Sequence, residues 1–252
     1  MYENLSPQDA AKYAVGKAAV ARYATDGARL GLGSGTTSAW FVRALGEKVA
    51  EGLDVVGVPT SNATRDLALS LNIRLIDVND LTEPLDVTLD GPDEVDADGD
   101  MIKGGGACLL WERLVADASL KMVCIADNTK LVDNLGRFPL PIEVIQYGWK
   151  ATARAIATML NDLGYDNPEI IQRHKDDQPV ITDNGNFILD AHLKKITDKG
   201  TLDTSLNWIP GVVENGMFTG IASELLMSDP AGNTRVIDLP NRNAARHPAW
   251  RS

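Results

Sequence analysis

Residues 29–40 read RLGLGSGTTSAW. RLGLG (29–33) predicts a short buried strand, and Trp40, Phe41 and Leu45 then recur at helical spacing over about 37–50. Gly31, Gly33 and Gly35 stand between the two elements and let backbone N–H groups approach a ligand closely. The alternation begun here continues outward. A helix is expected over 6–24, with Ser6 as its cap, Pro7 in its first turn and Asp9 at its positive end. Strands are expected at 54–59, 74–78, 85–90 and 121–127, with helices at 61–72, capped by Ser61, and at 107–119. Strands alternating with helices predict an α/β fold with a parallel sheet covered on both faces.

The pattern changes after Phe138. PLPIEVI predicts a strand, and 150–163 an amphipathic helix ending at Gly164. EIIQRH is followed by a hairpin, VITDNGNFILDAHL, turning at Asn184-Gly185. A helix over 200–208 precedes a second hairpin candidate, GVVENGMF, at Asn215-Gly216. ELLMS and TRVIDL are final strands separated by DPAGN. The expected division is therefore a larger α/β domain of 1–137 and 208–252, and a smaller α+β domain of 138–207.

Composition narrows the function classes. The chain has 252 residues, 44% hydrophobic and 23% charged, the balance of an ordinary globular protein. A net charge of −11 argues against nucleic-acid and anionic-membrane partners, which need clustered Lys and Arg. A small anion held by a few local cations still fits. The two cysteines, Cys108 and Cys124, read as small hydrophobes in a reducing compartment. No apolar run reaches membrane-span length, and the N-terminus lacks the basic-then-apolar pattern of a signal peptide, so a cytoplasmic location is expected. His174, His192 and His247 stand outside every motif, which argues against a histidine triad or a histidine-liganded metal. The basic tail 241–252 is assigned no role.

Two stretches carry candidate chemistry. In the first, the expected helix N-terminus at Ser34, Gly35, Thr36 and Thr37 combines unpaired N–H groups, a positive dipole end and hydroxyls, which suits a phosphate. It is neither a dinucleotide fingerprint nor a Walker loop, so a sugar phosphate fits better than a nucleotide. The plain alternative is a tight turn with a threonine cap. The second, LDVTLDGPDEVDADGDMIKGGG (85–106), crowds seven carboxylates beside Lys103 and the run Gly104, Gly105, Gly106. Asp90 and Asp93, flanking Gly91 and Pro92, lie at a strand's carboxyl end, where α/β sheets bind ligands. VDADGDMI predicts a hairpin turning at Asp98-Gly99, with Glu94, Asp96, Asp98 and Asp100 left as solvated acids. Glu112, beside Leu109, Leu110 and Trp111, is either a base in an apolar setting or an ordinary helix-surface residue.

Jointly and in order, GLGSGTT, TLDGPDE, MIKGGGA with Glu112 nine residues after Lys103, CIADNTK, FPLPIEV and ITDNGN resemble the ribose-5-phosphate isomerase A family. The resemblance runs from about Lys12 to the TRVIDL strand. It implies a Rossmann-like parallel-sheet domain, a ferredoxin-like α+β domain and a homodimer or homotetramer. It implies aldose–ketose isomerisation of a pentose phosphate without metal or cofactor. By position, Ser34 to Thr37 match the phosphate turn, and Lys12 and Lys130 match lysines near it. Asp90 and Asp93 match the paired aspartates, with Gly91 and Pro92 in the same substrate loop. Lys103 to Gly106 match the Lys-Gly-Gly-Gly loop, and Glu112 matches the base. Ser34, Asn62, Pro92 and Trp111 depart from the pattern without removing a reacting group. Competing classes are a sugar-phosphate sensor, which would not need Glu112 or Lys103, and an acyl-transferring enzyme using a nucleophilic glutamate.

Overall fold

The computed structural model describes residues 5–239. They form two compact units, one of 5–92, 111–131 and 220–239, the other of 93–110 and 132–219.

The first unit is built on a seven-stranded sheet. Its strands are β1 (Arg29–Leu32), β2 (Val56–Pro59), β3 (Arg74–Leu75), β4 (Val87–Asp90), β7 (Met122–Asp127), β15 (Ala222–Ser228) and β16 (Thr234–Asp238). They lie in the order β16-β15-β7-β4-β1-β2-β3. Every pairing is parallel except that of the edge strand β16 with β15. The chain first steps from β1 to β2 and β3, then crosses back to β4 on the other side of β1. The gap between the carboxyl ends of β1 and β4 is thus a topological switch point, the usual ligand position in such sheets.

Helices α1 (Pro7–Tyr23), α2 (Gly35–Ala50), α3 (Asn62–Ser70) and α4 (Leu109–Asp117) accompany this sheet, the first two residues of α4 belonging to the other unit. Ser6 caps α1 by accepting from the Asp9 N–H, and Ser61 caps α3 by accepting from Thr64. Val15, Ala19, Leu30, Leu32, Phe41, Leu45, Leu89, Val123 and Ile125 form a core with no exposed surface. Each larger side chain there contributes about 1.5–3 kcal/mol by leaving water.

The second unit contains β8 (Leu140–Val144), α5 (Trp149–Asp162), β9 (Glu169–Gln172), β12 (Phe187–His192), α6 (Lys199–Asn207) and β13 (Val212–Asn215). The four strands pair antiparallel in the order β13-β8-β12-β9. This β-α-β-β-α-β path is the ferredoxin-like arrangement. Ile142, Ile156, Leu160, Leu189, Leu202 and Leu206 fill its core. A short ribbon, β10 (His174–Lys175) with β11 (Gln178–Pro179), interrupts the path between β9 and β12. A further three-stranded sheet runs β14-β6-β5, from β5 (Glu94–Val95), β6 (Met101–Ile102) and β14 (Met217–Phe218).

Four features differ from the sequence expectation. Residues 93–110, 132–137 and 208–219 belong with the second unit, because β6 pairs with β14 and the Val132 N–H donates to the Val95 carbonyl. GVVENGMF is no hairpin: β13 pairs with β8 and β14 with β6. Gly216 links the two sheets, its N–H donating to Pro141 O (2.8 Å) and its carbonyl accepting from Lys103 N (2.9 Å). The hairpin at Asn184-Gly185 keeps a single bridge, Ile181 to Phe187. Its polar residues turn instead onto the fully buried Glu143, which accepts from Thr182 Oγ1 (2.8 Å) and Asn186 Nδ2 (2.9 Å). The expected strand over 74–78 stops at Leu75, and Val78–Asp80 form a 3-10 turn. Among the described residues no helix is long and apolar enough to cross a membrane.

Candidate active site

In the first unit the decisive turn follows β1. Gly33 donates to Leu89 O of β4 (3.0 Å), and a Cβ on Gly33 would lie 2.2 Å from Asp90 Oδ1, so only glycine allows that approach. Asp90, fully buried at the end of β4, draws three donors onto Oδ1: Ser34 N (3.0 Å), Ser38 Oγ (3.0 Å) and Gly91 N (2.8 Å). These bonds satisfy an oxygen that burial removes from water. They also fasten the glycine turn to β4 across the switch point.

Helix α2 begins at Gly35, whose φ is +86°. Ser34 occupies the cap position, but its side chain makes no capping bond. Its hydroxyl turns instead into a buried cluster with Thr60 Oγ1 (2.7 Å), Ser61 Oγ (2.7 Å) and Thr64 Oγ1 (3.2 Å). The expectation of a Ser34 hydroxyl donor therefore gives way: α3 has consumed it. The sequence held only a partial signal for this cluster, the capping pair Ser61 and Thr64. Ser38 carried none, because its partner lies 52 residues away. What remains at the turn are the first-turn N–H groups of α2, beside exposed Thr36 and buried Thr37. A helix N-terminus with its cap side chain turned away is a ready anion site.

The lysines expected near a phosphate belong to the same edge. Ser228, ending β15, donates to Ala11 O (2.6 Å), which draws that turn of α1 to the sheet's carboxyl end. Lys12 is the next residue, buried at 8% exposure, and among the described residues no acid pairs with it. Lys130 closes the turn after β7, which Asp127 caps at Thr129 N (2.9 Å), and it is half-buried.

Glu112 lies in the first turn of α4 at 5% exposure, so the surface-residue alternative does not hold. Trp111 faces elsewhere. With Leu114 and Val115 it lines a cavity of about 430 Å³ against Val58, Leu75 and Ile76.

In the second unit, β5 and β6 form the expected hairpin, with Gly99 at a φ of +79°. Glu94 pairs with Ile102, so Asp93 and Lys103 flank its open end. Asp93 Oδ2 accepts from Gly105 N (2.7 Å). A Cβ on Gly105 would fall 2.3 Å from Asp93 Oδ1. Lys103 is 1% exposed, and its ammonium stands 5.7 Å from the Phe218 ring centre. Gly104 is buried with a φ of +98°, whereas Gly105 and Gly106 are exposed. Of the acids expected to be solvated, Asp98 is exposed, whereas Glu94, Asp96 and Asp100 are buried. Glu94 accepts from Gly136 N (2.8 Å) and Phe138 N (2.7 Å). Asp96 and Asp100 are buried around the Lys199 ammonium, at 2.6 and 2.5 Å, with Asp98 at 3.5 Å. Burial opposes the Lys199 charge, but its bonds to Asp100 and Asp96 outweigh that and raise its pKa. Among the described residues this is the one acidic group close enough to hold a cation, and a lysine stands in it.

Comparison with known proteins bears on the family and the fold. Residues 56–232 match the family model for ribose 5-phosphate isomerase A (phosphoriboisomerase A). The chain belongs to that family. A relative from Yersinia pseudotuberculosis, ribose-5-phosphate isomerase A 2, is 48% identical over 230 residues, which cover 91% of this chain and 97% of the relative. The ribose 5-phosphate isomerase structure from Plasmodium falciparum superposes with a TM-score of 0.86 at 30% identity, covering 91% of this chain and 98% of that one. A D-ribose-5-phosphate isomerase in complex with phospho-erythronic acid gives 0.81 at 37% identity, covering 90% and 97%. Family membership also explains why the ferredoxin-like unit and the switch-point sheet occur in one chain.

Proposed function

We propose that this chain interconverts D-ribose 5-phosphate and D-ribulose 5-phosphate through an enediolate. Family membership and the isomerase relatives support it over the sensor and acyl-transfer readings. The single observation that carries the chemistry is the burial of Glu112. A carboxylate shielded on the first turn of a helix is where a base is needed, not where a surface charge belongs.

In the proposed mechanism the first-turn amides of α2, from Gly35 to Thr37, hold the phosphate with Lys12 and Lys130. Grip on that remote group supplies binding energy that places the reacting carbons. Asp90 assists ring opening by moving protons at O1 and O5, and Gly91 and Pro92 shape its loop. Glu112 takes the C2 proton of the open aldehyde. The electron pair forms the C1–C2 double bond while the carbonyl electrons move to O1. Glu112 then returns the proton to C1, and a proton passes from O2 to O1, which leaves the ketone at C2. The Lys103 ammonium and the Gly104 and Gly106 amides stabilise the charge that develops on oxygen, the Gly105 N–H being taken by Asp93. Asp93 aligns sugar hydroxyls and holds the glycine loop through Gly105. That a relative was solved with phospho-erythronic acid supports this reading, since its phosphate and carboxylate resemble the two ends of the enediolate.

The same reading carries no metal or cofactor, a homodimer or homotetramer, and a cytoplasmic location. Incubation with ribose 5-phosphate in deuterated water plus a chelator tests the chemistry. Ketose labelled at C1 is expected, and Glu112→Gln is expected to lower kcat by at least about 100-fold. An undiminished Glu112→Gln rate rejects the proton-transfer assignment, whereas unlabelled ketose reports return of the same proton before exchange. Light scattering of the eluted protein checks the oligomer.

A further inference from the structure

Arg173 joins β9 to β10, and its guanidinium is held by Asp190 of β12 through Nε (2.8 Å to Oδ2) and Nη2. Its remaining nitrogen, Nη1, donates to two successive carbonyls, Gly104 O at 2.8 Å and Gly105 O at 3.0 Å. A trans peptide points its N–H opposite its carbonyl, so fixing one end fixes the other. The Gly104–Gly105 peptide is held at both ends, by Arg173 at its oxygen and by Asp93 at its N–H. The Gly105–Gly106 peptide is held by Arg173 alone, and among the described residues nothing accepts its N–H, which belongs to exposed Gly106.

Three consecutive glycines would otherwise sample many orientations. The Gly104 carbonyl already accepts from Ala107 N (2.9 Å), so local turn structure does not require the arginine there. What the arginine adds is direction, and a cation on the carbonyl side that polarises the amide toward donation. Asp190 balances that cation and holds its fork at two nitrogens.

We infer that Arg173 is a positioning residue for the isomerase reaction: it aims the Gly106 N–H at the oxygen that becomes negative in the enediolate. The inference rests on the function proposed above, in which the glycine loop stabilises that charge. It separates Arg173 from the phosphate grip, which belongs to α1, α2 and the turn after β7.

Arg173→Met and Arg173→Lys are compared with the parent chain in the forward reaction. For Arg173→Met, kcat falls about 10- to 100-fold, below the loss of a whole oxyanion donor. KM stays within about twofold, and so does inhibition by inorganic phosphate. Inhibition by phospho-erythronic acid, whose carboxylate would accept the Gly106 N–H, weakens in step with kcat. Arg173→Lys keeps the charge without the fork and falls between the two; it carries the test if the methionine variant does not fold. An active parent with unchanged kcat in a folded variant overturns the Arg173 inference and leaves the isomerase reading intact. So does a rise in KM and in the phosphate inhibition constant at constant kcat. A parent without isomerase activity overturns the function reading, and this inference with it.

Discussion

Lys12→Met is expected to make the protein more stable and a poorer enzyme. Lys12 is buried at 8% exposure with no acid paired to it among the described residues. An ammonium taken fully out of water costs on the order of several kcal/mol, and methionine fills nearly the same volume without charge. Residual exposure tempers the relief to about 1 kcal/mol. In a chain of this size that raises Tm by about 2–4 °C. The lost charge-assisted contact to phosphate is worth about 1.5–3 kcal/mol. At 1.4 kcal/mol per tenfold this weakens phosphate binding roughly 10- to 150-fold. Thermal melts with and without inorganic phosphate read both effects. The parent gains about 2.7 kcal/mol at a phosphate concentration 100 times its Kd, and the variant gains about 0.3–1.4 kcal/mol at that concentration. A variant that melts below the parent without phosphate, or that binds phosphate as tightly, refutes the argument that the charge is kept for a ligand.

Glu94→Ala strands the N–H groups of Gly136 and Phe138, so a loss of about 2–4 kcal/mol is expected, read as a lower urea midpoint at constant m. Lys199→Met tests the aspartate cluster by pH. The folded pKa of Lys199 is raised, so its contribution is fully present below the unfolded value and is lost as pH rises through the folded one. The parent therefore loses stability on the alkaline side, above the ordinary lysine value of 10.5, and the variant, weaker at neutral pH, shows a flatter alkaline limb. Glu224 behaves in the opposite sense. Burial works against its charge, but bonds from Lys121 and Tyr23 hold its pKa below 4.5, so its contribution is lost as pH falls through the folded value. Acid melts of Glu224→Gln are expected to show a shallower decline than the parent.

Much of the architecture was legible because its causes are local. The strand, glycine turn and helix at 29–50, the caps Ser6 and Ser61, and the Asp98-Gly99 turn each depend on residues a few positions apart. Asn215-Gly216 misled because the same dipeptide serves a hairpin or a crossing between sheets. Only Lys103 and Pro141, which bond Gly216 from two directions, distinguish them. The candidate site divides in the same way. Motif order pointed to Asp90, Asp93, Lys103 and Glu112, but not to what holds them.

The amino-acid sequence alone determined the alternation of strand and helix, the glycine runs that leave backbone bare at turns, and the order of the motifs. Tertiary structure decided the fate of the polar groups. It buried Glu94 on amides 42 and 44 residues away and paired Asp96 with a lysine 103 residues on. It also turned the Ser34 hydroxyl from a prospective ligand into α3. The physical reason is that periodicity and turn chemistry act over a few residues, whereas a buried charge takes whichever partner the fold brings within about 3 Å.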